Sequence, residues 1–214
     1  MGSLRHFALG LALAAWPAGA AHAEIVDRIV ASVGKQIVTL SDAQEEYRVQ
    51  CFLEGKALGV PDNARIREIA GRLVDQALLR QEMQGGSFPH VAPETIQAQM
   101  EEIRRRFPDQ AAYRKALESY GLEEDVLRRH LQLQADAQEF IEHRFRPGAQ
   151  VTAEEIERYY RQELLPELRK QHAREPALEE VREQITALLV ERHINEQWAA
   201  WMKDLRSQAE VHMR

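Results

Sequence analysis

Cysteine is all but missing: Cys51 is the single thiol in 214 residues. No internal disulfide can form, and there is no Cys-x-x-Cys pair for redox or metal chemistry. Cys51 stands beside Phe52 and Leu53, which reads as burial rather than reactivity. A glycine-rich phosphate loop and a His-Glu-x-x-His pair are missing as well. His90, His130, His143, His172, His193 and His212 are widely spaced, and none has a glutamate three residues before it. A di-iron helical bundle needs that spacing. These histidines read as surface or interfacial, and no metal or other cofactor is expected. A basic excess is also lacking: 28 Lys and Arg face 34 Asp and Glu, for a net charge of −6. That balance argues against general nucleic-acid binding. Basic runs such as Arg104-Arg105-Arg106 sit among acids at helical spacing and read as a solvated helix face, as do Glu139, Glu142 and His143.

No apolar run is long enough to cross a bilayer, which takes about 20 residues. The run from Phe7 to Trp16 follows Arg5 and His6, is broken by Pro17 and Gly19, and leads to Ala21-His22-Ala23. A positive flank, a short apolar run and a small-x-small triplet are the features of a removed secretory signal. The expected organisation is a signal peptide over 1–23 and one domain over 24–214, with an N-terminal part (24–150) and a closing part (151–214). The remaining 191 residues (214 − 23) can bury a substantial core. Localisation in the periplasm follows, with no transmembrane segment after signal removal and no ATP to drive a machine.

What is present is mostly helix-forming sequence. Ile25 to Val33 and Gln36 to Leu40 are rich in β-branched residues and flank Gly34-Lys35. That predicts a hairpin with a II′-type turn, whose first turn residue needs a positive φ. Ser41 with Gln44 predicts a capping box and a helix to about Lys56. Asp62 can cap a helix with Ile66, Ile69, Leu73, Ala77, Leu78 and Met83 inward, stopped by Gly85-Gly86. Pro93, Pro108-Asp109 and Glu123 open three more helices, the last running to Arg146 before Pro147-Gly148. Thr152 and Glu155 form another capping-box pattern, Pro166 predicts a kink, and Pro176 opens the final helix. Glu210 to Met213 reads as a terminal strand. A lone hairpin is marginal in water. Its pairing with this tail gives a three-stranded sheet that closes the domain. The fold class expected is mainly α, a helical core with a small β-sheet.

One set of residues stands out for binding: Phe52, Met83, Met100, Ile103, Phe107, Tyr113, Tyr120 and Tyr159, with Tyr160 beside the last. Methionine and aromatic side chains suit apolar surfaces that accept varied partners. These are the candidate peptide-binding residues, although each one singly also fits an ordinary core. Trp198 and Trp201, three apart on one helix face, read as a packing anchor. No catalytic residues are assigned.

The stretch Ile25-Val26-Asp27-Arg28-Ile29-Val30-Ala31-Ser32-Val33-Gly34-Lys35-Gln36-Ile37-Val38-Thr39-Leu40-Ser41-Asp42 resembles the opening of the SurA family of periplasmic chaperone–isomerases. Leu73 to Gln81 resembles that family's next helix, and Gly121 to Arg128 a later step. Val151 to Tyr160 resembles the linker into its isomerase domain, and Val190 to Val211 its closing helix and strand. In the family, one or two parvulin prolyl isomerase domains lie between linker and closing helix. Here only Arg161 to Glu175 lies there, so no isomerase residue can be carried over. The resemblance thus implies a chaperone core alone, not an enzyme. It implies ATP-independent holding of unfolded or nascent envelope proteins, outer-membrane proteins among them, in an apolar groove. The alternative is a non-catalytic subunit that binds one dedicated envelope partner.

Overall fold

Gly34 makes the first turn, with φ at +54°, while Lys35 keeps an ordinary φ. That is the II′ pattern, and it sets Val33 opposite Gln36 across a two-residue loop. The computed structural model describes residues 27–85, 88 and 90–214. The signal reading of residues 1–23, the start of the hairpin at Ile25 and Val26, and Gly86 as a helix stop lie outside the described residues. Strand β1 is Ile29–Val33 and β2 is Gln36–Thr39. A register shift between Ile29 and Ala31 marks a bulge in β1.

Helix α1 spans Leu40–Glu54. Its capping box lies two residues earlier than Ser41 with Gln44. Thr39 has extended backbone, its hydroxyl accepts from the Asp42 N–H, and the Asp42 carboxylate accepts from the Thr39 N–H. Ser41 is already inside the helix, and its N–H reaches the Asp27 carboxylate at 3.3 Å. The helix stops at Glu54 because Gly55 turns the chain left-handed, with φ at +64°. Helix α2 is Asn63–Gly85, and Asp62 accepts from the Arg65 N–H at its start. Helices α3 (Pro93–Arg104), α4 (Gln110–Ser119) and α5 (Glu124–Phe145) follow, with Asp109 capping α4.

Helix α6 is Ala153–Tyr159, opened by the Thr152–Glu155 capping box. Pro166 does not end the helical run. Tyr160–Leu164 widens into a π turn in which the Leu165 N–H reaches back to Tyr160, and α7 (Leu165–Lys170) continues from it. The last helix, α8, spans Leu178–Gln208 and begins two residues after Pro176. Ala177 is still extended there, and the Pro176 carbonyl accepts the Tyr160 hydroxyl at 2.7 Å. Strand β3, Val211–Met213, pairs antiparallel with β1, so the sheet order is β2-β1-β3. The fold is mainly α with a small three-stranded antiparallel sheet.

Two main apolar cores form. Val30, Ala31, Val33 and Val38 of the sheet pack on Ile69, Val74 and Leu78 of α2 and Met202 of α8, with Trp198 and Trp201 against them. Val49 and Phe52 of α1 pack with α3, α4 and the first half of α5. Smaller clusters join α8 to the end of α5 and to α6.

Candidate functional site

Helices α1, α2 and α5, the strand β2 and the segment before α3 surround a cleft of about 900 Å³. Its apolar walls come from Ile37 and Val38 of β2, Leu73, Ala77 and Met83 of α2, Phe88 and Leu133. Asp42, Glu45, Arg80 and Arg129 add charge of both signs. The α2 side chains face the cleft because the helical period that turns Val74 and Leu78 to the sheet leaves Leu73 and Ala77 beside them. Ile37 is unusual for its type, since 58% of it is exposed.

Two histidine–carboxylate pairs line this cleft. Glu46 of α1 accepts from His130 Nδ1 at 3.0 Å and from the Gln50 amide at 2.6 Å. Gln50 in turn accepts from Arg65 and Arg72, each at 2.9 Å. Burial pushes the Glu46 carboxyl up, but the bonds from His130 and Gln50 and the Arg72 charge outweigh it and hold it below its ordinary value. His130 is buried, and its Nε2 has no hydrogen-bond partner among the described residues. The second pair is His90 Nδ1 with the buried Asp136, at 2.8 Å. Asp136 also accepts from the Val91 N–H at 2.7 Å and the Gln132 amide at 3.0 Å. Gln132 donates to the Val91 carbonyl as well. These bonds fasten the segment before α3 onto α5.

The eight candidate peptide-binding residues do not meet at this cleft. Phe52, Met100, Ile103, Phe107, Tyr113 and Tyr120 pack together in the core of α1, α3, α4 and α5. Met100 and Tyr113 are fully enclosed there, and Phe52 stacks on Phe107 at 5.9 Å between ring centres. Met83 belongs to the sheet core and reaches the cleft wall. Tyr159 lies apart, beside a smaller apolar pocket of about 310 Å³ between α6–α7 and α8, which Leu164, Leu168, Val181, Ile185 and Leu188 also line. Their apolar character is what packing consumes, so the pattern that marked them is also the pattern of a core.

Of the histidines read as surface or interfacial, His130 is buried between α1 and α5. It falls between Leu127 and Leu131 on the inward stripe of α5. A titratable ring at an inward position was the one available signal. Glu46, Asp136 and His90 carry none, because their partners are 84 and 46 residues away in the chain. Among the described residues the cleft lining holds no serine, threonine, cysteine or tyrosine, hence no hydroxyl or thiol nucleophile. What it offers is apolar contact, hydrogen bonding and mixed charge. Among the described residues no helix is long and apolar enough to cross a membrane, and no group of His, Cys, Asp and Glu is placed to hold a metal. No protein-family model matches the chain, and no curated protein matches it in sequence.

Proposed function

We propose that this protein is a SurA-like chaperone of the periplasm that holds unfolded envelope polypeptides without ATP. The observation that carries the reading is the cleft of about 900 Å³ between α1, α2 and α5. Its size is that of a ligand site. Apolar walls with charge of both signs suit many sequences rather than one. The resemblance of residues 25–42 to the opening of the SurA chaperones, and the secretory pattern of residues 1–23, supply the client class and the compartment. Apolar burial contributes about 25 cal/mol per Å², from which the cost of ordering a flexible client is subtracted. Binding is therefore weak and exchangeable, and release needs no nucleotide.

The parvulin insert of that family is missing, so the protein has no isomerase chemistry of its own under this reading. The experiment is suppression of aggregation. Equimolar protein is expected to slow light scattering by several unrelated unfolded outer-membrane proteins without ATP. It is expected to leave the cis/trans exchange of a proline peptide uncatalysed. Protection of a single client alone would replace this reading with a dedicated-partner subunit, and catalysed exchange would restore an enzyme.

A further inference from the structure

Two polar features of the cleft lining are unusual. The first is the outer edge of β2. In a two-residue hairpin the residues flanking the turn, Val33 and Gln36, bond to each other. The next residue, Ile37, therefore turns its N–H and C=O away from β1, toward the outer edge of the sheet. Strand β2 is the sheet's edge on that side, and Ile37 lines the cleft.

The second is His130. Glu46 is anionic at neutral pH, because its carboxyl is held below its ordinary value. A carboxylate can only accept, so His130 Nδ1 carries a hydrogen, and in the neutral ring Nε2 keeps a lone pair. That lone pair has no partner among the described residues, although the ring is buried. A buried acceptor is normally satisfied. The Glu46–Gln50 bond and the two arginines on Gln50 hold the arrangement from behind.

We propose that His130 Nε2 accepts a main-chain N–H from one extended polypeptide segment that lies in the cleft along the open edge of β2. The occupant follows from the wall's chemistry. An extended chain presents amide N–H and C=O groups sideways, to an edge strand and to an acceptor, and sends alternate side chains to an apolar surface. It also does so whatever its sequence, as a binder of varied clients requires. Nε2 is closed off from water, so the segment reaches it by displacing a neighbouring side chain. The inference rests on the chaperone reading and names the atom through which the main chain is read.

The test uses a short fluorescent peptide of alternating valine and threonine, and a set of copies each N-methylated at one residue. The protein is the full chain after signal removal. One methylated copy is expected to bind wild type roughly five- to tenfold more weakly, the loss of one hydrogen bond. The same copy is expected to lose nothing further on a His130→Phe variant. In wild type labelled with ¹⁵N at histidine, the His130 Nε2 resonance is expected to move when the parent peptide saturates the cleft. This reading needs no variant, so it holds if His130→Phe fails to fold. Equal penalties in wild type and variant, or an unmoved Nε2 resonance at saturation, overturn the inference and leave the chaperone reading standing. No binding of the parent peptide overturns both.

Discussion

Thr39 and Ser41 are both plausible caps by type, and backbone conformation separates them. Thr39 is extended and shares three bonds with Asp42, whereas Ser41 already sits within the helix. Thr39→Ala is expected to lower stability by about 1 kcal/mol, the usual worth of a cap, and Ser41→Ala by a few tenths. Urea unfolding of the two variants checks this, and equal losses would place the cap elsewhere. Glu46 supplies a test by pH. Its folded carboxyl titrates below the ordinary 4.5, so it stabilises the fold above that pH and loses the contribution as pH falls through its lowered value. Wild type is expected to lose thermal stability in that acid range. Glu46→Gln is expected to start less stable at neutral pH and to decline less there. Parallel thermal melts across the range check it.

Between elements, the contact with the greatest reach is β3 on β1. It pairs Val33 with Val211 and Ala31 with Met213, and the Arg214 N–H donates to the Val30 carbonyl at 2.9 Å. The strand is only three residues long, yet it puts the end of the chain beside the start of the described fold. Deleting residues 209–214 would leave β1 with one neighbour and uncover part of the core holding Val30 and Val38. Trp198 and Trp201 pack against that core, with ring centres 5.3 Å apart. The deletion is expected to lower the melting temperature and to shift tryptophan emission in the same sample. Unchanged melting and emission would mean that β3 contributes nothing to closure.

Over the whole molecule, α8 is the shared member. It contributes Met202 to the sheet core, Ile194 to the cluster at the end of α5, and Ile185 and Leu189 to the cluster with α6. Arg206 ties it to α2 by bonds to the Asp75 carboxylate and the Gly71 carbonyl. A helix common to three clusters couples their unfolding. Chemical denaturation of the chain without residues 1–23 is therefore expected to give one transition, with the same midpoint by tryptophan emission, which then reports α8, and by far-ultraviolet dichroism, which reports all helices. Two separated midpoints would show that residues 24–150 and 151–214 fold independently.

The sequence by itself determined the elements and their pairing. Gly34-Lys35 between β-branched runs, Pro93 at a helix start, Asp109 and Thr152 as caps, and Gly121 as a left-handed stop act over a few residues. Their signal is local and survives in one dimension. The three-stranded sheet was legible because a hairpin alone is too weak and one apolar tail remained to complete it. Tertiary structure alone decided the cleft. Leu73 and Val74 are adjacent and equally apolar, yet one lines the cleft and the other is fully buried under the sheet. Apolar patterning says that a residue is turned inward, not whether a neighbour will cover it. Glu46 meets His130, and His90 meets Asp136, only because α1, α5 and the segment before α3 pack together. Such pairs are set by the closing of long loops, and no spacing along the chain records them.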